Sequence, residues 1–275
     1  MKYTIQSGKY VLKNILYLLP FAIIPALFLS FSTDENSLNA VVESFFSGNI
    51  ADWEFLQLFR AVSVLNFGSW KAILFGLIGI IALLLCVSLM MALMEKHMRI
   101  GKRTFNGIFS KLNDNLIPTC GYGFLLIGIY ELWSLLVAAL LFFVSRIGVT
   151  VAAYIGASIV FLGMHVVLLL CISVIYLWLP CMQITGFRAS EALNYTNQLT
   201  SDVKWKIVAG QLFSMFVAET AICLCAWFAI NFVWFTLLTT AIYAVLTMIF
   251  CVRMEVAYFD LDKIERADLR KYYRR

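Results

Sequence analysis

The sequence predicts an all-α polytopic integral membrane protein with six transmembrane helices. Three observations carry that reading. Of the 275 residues, 62% are hydrophobic and only 13% are charged, against roughly 45–50% and 25% in soluble domains. Mean hydropathy is +0.88. Six apolar runs each approach the ~20 residues needed to cross a bilayer core, at 15–31, 72–94, 120–145, 150–179, 207–230 and 232–252. A soluble fold of this size cannot bury such an excess without leaving aggregation-prone surface. An ordinary soluble enzyme, a disordered chain and a disulfide scaffold are excluded. A single transmembrane domain over residues 1–275 is expected.

The first run follows Lys2, Lys9 and Lys13 and at first resembles a signal peptide. It lacks a clear A-x-A site and further apolar runs follow, so a retained first helix is expected. Pro20 and Pro25 predict a kink or break within it. The outer loop 32–70 comes next. Leu38, Val41, Val42, Phe45 and Phe46 share one helical face, and Gly48-Asn49 ends that helix. Asp52 is placed to cap a second helix with Phe55, Leu56, Phe59 and Val62 on one side. Asp34, Glu35, Glu43, Asp52 and Glu54 make the loop acidic. Its apolar faces predict a segment lying on the outer membrane surface or covering the bundle, with a gating lid as the alternative.

Two basic segments join the middle spans. In 95–119, Thr104 is placed to cap a short helix bearing Phe105, Ile108, Phe109 and Leu112, with Lys102, Arg103 and Lys111 off that face. In 180–206, Ala192, Leu193, Thr196 and Leu199 form a weaker stripe behind Arg188 and Glu191. Both read as interfacial elbow helices. Span, elbow and span recur in the same order, and Met98-Arg99-Ile100 is echoed by Met182-Gln183-Ile184, which predicts a possible parallel internal repeat. The third and fourth runs are divided by Arg146-Ile147-Gly148. The last two runs form one block about twice the hydrocarbon thickness, so the chain must double back, with Asn231 as the turn and Trp227 and Trp234 flanking it.

With six spans, nearly all Lys and Arg fall on the side holding both termini, while Arg60, Lys71 and Arg146 fall on the other. Positive-inside then places both termini in the cytoplasm. The net charge of +5 belongs to that face and implies anionic lipid headgroups rather than nucleic acid as its partner. The tail 253–275 runs from acidic (Glu255, Asp260, Asp262) to basic (Arg270, Lys271, Arg274, Arg275) and reads as a juxtamembrane helix on anionic lipid.

The six-span layout with amphipathic linkers Arg103-Thr104-Phe105-Asn106-Gly107-Ile108 and Arg188-Ala189-Ser190-Glu191-Ala192-Leu193 resembles a broad group of bacterial membrane proteins. The membrane domain attached to some glycerophosphodiester phosphodiesterases typifies that group. The resemblance implies a layout and a bacterial cytoplasmic membrane. The soluble phosphodiesterase domain has no counterpart in this sequence, so that activity is not implied.

Glu131 and Glu219 are the sharpest chemical features, each within an apolar run. A charged carboxylate at mid-bilayer costs about 2.5–3.5 kcal/mol on insertion scales, so each should face the bundle interior, be protonated or bind a cation. As a pair they would suit a proton or ion path. The bland alternative is a neutral acid bonded to Tyr130, Thr220 or a backbone carbonyl. His165, midway along the fourth run, reads as a packing residue or a relay to one of the glutamates. Ala152, Gly156 and Gly163 form a small-residue packing stripe on the same run. Arg103, Lys111 and Arg188 are candidates for docking lipid or a cytoplasmic partner protein. HExxH, CxxC and Walker-type motifs are absent, so neither a metal nor another cofactor is expected, and no enzyme activity. The seven cysteines read as packing residues. A transporter or permease-like subunit is the leading reading, and a non-catalytic membrane scaffold or regulator is the alternative.

Overall fold

A computed structural model describes residues 2–228 and 231–269. They form α1 (Lys2–Ser32), α2 (Glu35–Ser47), α3 (Phe55–Val62), α4 (Trp70–Ile100), α5 (Ile108–Ser145), α6 (Thr150–Ile175), α7 (Trp178–Thr185), α8 (Ala189–Thr200), α9 (Lys204–Phe228) and α10 (Phe232–Leu261), with no strand among them. Six helical stretches are long and apolar enough to cross a membrane: α1, α4, α5, α6 with α7, α9 and α10. The protein is therefore an all-α membrane protein. Large apolar side chains such as Leu16, Ile117 and Val151 face outward, as helices solvated by lipid require.

The α1 helix lies against both α4 and α10. Its contact with α4 rests on missing side chains. A Cβ on Gly76 would stand 2.7 Å from Ser32 Oγ, and one on Gly79 would stand 3.1 Å from the Leu29 amide nitrogen. Glycine there lets the two backbones approach, which lipid-immersed helices need because apolar burial does not drive their association. At the far ends, Lys2 pairs with Asp260 at 2.8 Å, so the start of α1 and the end of α10 lie together. This is the terminal end of the bundle. The opposite end, which carries 33–69, is the loop end.

The kink in α1 falls at Asn14 (φ −120°, ψ 19°), not at either proline. Pro20 leaves the Leu16 carbonyl without its helical donor, and the Asn14 side chain donates to the Tyr10 carbonyl at 2.8 Å instead of following the helix outward. The turn at Asn231 is present, its side chain accepting from the Trp234 amide at 3.1 Å. Ala229 and Ile230, the end of the fifth run, lie outside the described residues, as do Arg270, Lys271, Arg274 and Arg275.

The loop end follows the apolar pattern of the sequence, with differences in capping. Asp34 caps α2 through the Ser37 amide, and Gly48 ends it at φ 90°, a conformation that favours glycine. Asp52 closes a 3₁₀ turn and caps nothing, while Glu54 holds the N-terminal position of α3 without a side-chain bond. Leu58, not the Leu56 of the expected face, is the buried residue of α3. The α3 helix lies along α5, and α2 lies against α3 and α9. The loop therefore covers the bundle.

Three expectations need correction. The first elbow helix does not exist separately: helix begins at Ile108 and runs unbroken to Ser145, and Thr104 instead bonds the Asn106 amide in the connector. The polar Asn113-Asp114-Asn115 run does not end the helix, because Asn115 turns inward and is buried, and the helix absorbs Pro118 as well. The second elbow does form, as α8, with Ala192 and Thr196 buried. The two linkers thus differ and the expected symmetry is not seen between them. The small-residue stripe is also rotated. Of the three expected residues only Gly156 packs closely, a Cβ there standing 2.8 Å from Val144 of α5. Ala152 and Gly163 are exposed, and Ala153 and Ala157 are buried in their place. Finally, 253–261 is not a surface tail. It completes α10, and every residue from Arg253 to Phe259 is buried, because Met254, Val256, Ala257, Tyr258 and Phe259 let the apolar run continue around two charges.

Candidate functional site

The α6 helix brings His165 to the inside of the bundle, where it is 0% exposed. At about 1.5 Å per residue it lies roughly 22 Å from the start of α6, and Glu219 lies roughly 22 Å from the start of the antiparallel α9. His165 Nε2 and Glu219 Oε1 are 2.9 Å apart. His165 Nδ1 is 2.7 Å from the Phe161 carbonyl. A carbonyl only accepts, so Nδ1 carries a proton. The Nε2···Oε1 bond then holds one more, resident on either atom. The pair is His⁺/Glu⁻ or His/GluH, and neutral in sum both ways. That neutrality is what allows two ionisable groups inside an apolar bundle.

An aromatic cage fixes the imidazole. Phe161, Trp133 and Phe216 rings lie 4.2, 4.9 and 5.2 Å from it. Trp133 is itself held by its indole N–H to the Met164 carbonyl at 2.7 Å. The second carboxylate oxygen, Glu219 Oε2, is buried and has no hydrogen-bond partner. It is an open acceptor beside a proton-holding bond. Tyr130, on α5, lies in the electrostatic field of both Glu219 and Glu131, and its hydroxyl donates to the Val62 carbonyl at 3.1 Å.

Glu131 is engaged elsewhere. Its carboxylate accepts from Ser63 Oγ at 2.8 Å, the Val64 amide at 2.9 Å and the Leu65 amide at 3.2 Å. Ser32, the last residue of α1, donates to the Val64 carbonyl at 3.3 Å. Glu131 thus meets the loop where α1 ends and α4 is about to begin, and α5 continues past it to Ser145. The expected glutamate pair resolves into two different arrangements: a His–Glu pair between α6 and α9, and a loop anchor on α5. Further along α5, Arg146 donates to the carbonyls of Ala51 and Trp53 at 2.9 and 3.2 Å, and Tyr154 donates to Phe45 at 2.7 Å. The polar residues of the α5–α6 hairpin hold the loop at successive heights.

The docking candidates separate as well. Arg103 and Arg188 are exposed. Arg103 donates to the Lys13 carbonyl at 3.0 Å, and the Arg188 amide donates to Glu191 at 3.2 Å as the first turn of α8 forms. Lys111 is drawn inward to Glu95 at 2.6 Å, with Arg99 on the other oxygen at 3.1 Å.

No family model, curated protein or solved structure matches this chain. Among the described residues no group of three or more His, Cys, Asp or Glu is placed to hold a metal ion.

Sequence reasoning missed the buried polar residues at the terminal end. Glu255 is 0% exposed with both oxygens unpartnered, and Arg253 is 2% exposed. Both fall just past the sixth run, where an apolar neighbour on nearly every side was the available signal.

Proposed function

We propose that the protein is a transporter, or the permease-like subunit of one, that uses the His165–Glu219 pair as its proton-binding element. The observation that supports this is the shared proton between Nε2 and Oε1 with a buried, unpartnered Oε2 alongside. A second proton entering at Oε2 would convert the neutral pair to a cationic one. A cationic pair inside a low-dielectric bundle is costly, so proton uptake would be coupled to a rearrangement that re-solvates it. Tyr130, near both carboxylates, is the natural next hydroxyl toward the loop end.

In this reading the terminal end faces the cytoplasm of a bacterial cell, on the distribution of Lys and Arg. The exposed Arg103 and Arg188 would meet anionic headgroups or a cytoplasmic partner, whereas Lys111 serves Glu95 first. No catalytic constellation supports an enzyme, and no cofactor or nucleic acid enters the reading.

The test is proton flux into proteoliposomes under an imposed pH gradient. Wild type should conduct, Glu219→Gln should lose flux while keeping the fold, and Glu131→Gln should retain it. No flux in the wild type, or unchanged flux in Glu219→Gln, would sink the reading. A non-catalytic scaffold is the second reading, favoured by the engagement of Glu131, Arg146 and Tyr154 in holding the loop. It predicts that all these substitutions alter stability alone.

A further inference from the structure

At the terminal end, four helices bring together a cluster whose hydrogen-bond donors outnumber their partners. Arg253 of α10 is 2% exposed. One of its terminal nitrogens donates to Ser214 Oγ of α9. Its Nε is buried and unpartnered, and no ion pair among the described residues includes it. One turn before Ser214, Gln211 is 4% exposed, and neither atom of its amide has a partner. Tyr176, the residue that ends α6, is 0% exposed. Its hydroxyl faces the Gln211 amide and the guanidinium without reaching hydrogen-bond geometry with either. Thr4 of α1 closes the cluster: a Cβ built on Gly210 would lie 2.7 Å from Thr4 Oγ1 and 3.9 Å from Arg253 Nη1.

A lone guanidinium held away from water is costly unless an opposite charge meets it. The Ser214 hydroxyl gives its one proton to the Gly210 carbonyl at 3.0 Å and only accepts from the guanidinium, whereas the Gln211 amide and the Tyr176 hydroxyl remain free to donate. That is the complement of an oxyanion: a planar fork with several N–H groups, flanked by neutral donors. The cluster also lies two turns from Lys204, Trp205 and Lys206 at the start of α9, where Trp205 is 68% exposed. An exposed tryptophan between two lysines at a helix start marks the headgroup level of a bilayer.

We propose that Arg253, Gln211 and Tyr176 bind a phosphate-type oxyanion, with Ser214 holding the guanidinium in place. The phosphate can arrive on a phospholipid headgroup entering between α1 and α9 or as the free ion. The site is independent of the His165–Glu219 pair and stands whether or not that pair carries protons.

The test uses the full-length protein, purified in mild detergent and delipidated, with thermal unfolding as the readout. Phosphatidic acid in mixed micelles should raise the unfolding midpoint, and diacylglycerol, which lacks the phosphate, should not. Inorganic phosphate at matched ionic strength tests the free ion. Protection by it equal to that of phosphatidic acid assigns the site to free phosphate, and protection by the lipid alone assigns it to a headgroup. Arg253→Gln should abolish the shift. Gln211→Leu and Tyr176→Phe replace neutral groups and should weaken apparent binding about tenfold. They decide the matter if Arg253→Gln does not fold. Absence of protection by either phosphate source, or equal protection of wild type and all folded variants, overturns the proposal.

Discussion

His165 and Glu219 share a single hydrogen bond of 2.9 Å between α6 and α9, and the Phe161 carbonyl fixes which ring nitrogen takes part. Glutamine at 219 can donate its amide N–H to the bare Nε2 of a neutral His165 but cannot exchange a proton. Glu219→Gln is therefore expected to unfold within a few degrees of wild type. His165→Ala leaves the partly buried Glu219 carboxylate without its partner and opens a cavity beside three aromatic rings. It is expected to lose on the order of 3–5 kcal/mol. Thermal unfolding in detergent separates the two outcomes.

Glu131→Ala removes three hydrogen bonds to the 63–65 segment at once. Bonds to a charged group contribute about 1.5–3 kcal/mol each in favourable cases, so the loop rather than the whole bundle should loosen. Amide hydrogen exchange at Val64 and Leu65 should accelerate at least tenfold, while exchange in the middle of α10 stays as in wild type. Unchanged protection at Val64 would contradict the anchor role.

Glycine substitutions should divide by sign. Gly79→Ala drives a methyl into the Leu29 backbone and should lower the unfolding temperature. Gly163→Ala and Gly128→Ala meet open space and should be neutral or gain up to about 1 kcal/mol from helix propensity. A uniform effect across the three would show that α1 and α4 are not in the described contact.

Glu255 and Glu95 are both buried but differ in partners. Glu95 is bonded to Lys111 and Arg99, whereas neither oxygen of Glu255 has a partner. Glu255→Leu removes two unsatisfied acceptors and should stabilise by about 1–3 kcal/mol. Lys111→Ala takes one cation from Glu95 and should destabilise by about 1 kcal/mol, Arg99 remaining. Denaturation midpoints of the two variants should move in opposite directions.

Tyr195 of α8 donates to Asp262 at the end of α10. The hydrogen bond to a carboxylate, then burial, push its phenol up to about 12. The neutral phenol is the form favoured by folding, so this contact contributes fully below about pH 10. Its contribution is lost as pH rises from there through about 12. The phenolate difference spectrum between wild type and Tyr195→Phe should show a group titrating above the ordinary tyrosine range. Ordinary titration would mean that α8 is not tied to α10.

What the residues alone determined is what composition and period control. Six runs of lipid-crossing length, the turn at Asn231, the helix ended by Gly48 and the apolar faces of the loop all follow from local chemistry. Such chemistry acts within a turn or two of helix and is visible in one dimension. Helix continuation was harder, because Ile108 and Arg253 lie where polar residues interrupt an apolar run and tertiary burial decides whether the helix goes on. Partnership was decided only in three dimensions. Glu131 and Glu219 look equivalent along the chain, yet helix rotation and packing give one to Ser63, Val64 and Leu65 and the other to His165. The same rotation turned Ala153 and Ala157 inward in place of Ala152 and Gly163, and placed Arg253 against Ser214 rather than on the surface. Rotation about a helix axis costs little locally. It is set by the sum of contacts with every neighbouring helix, and no window of sequence contains that sum.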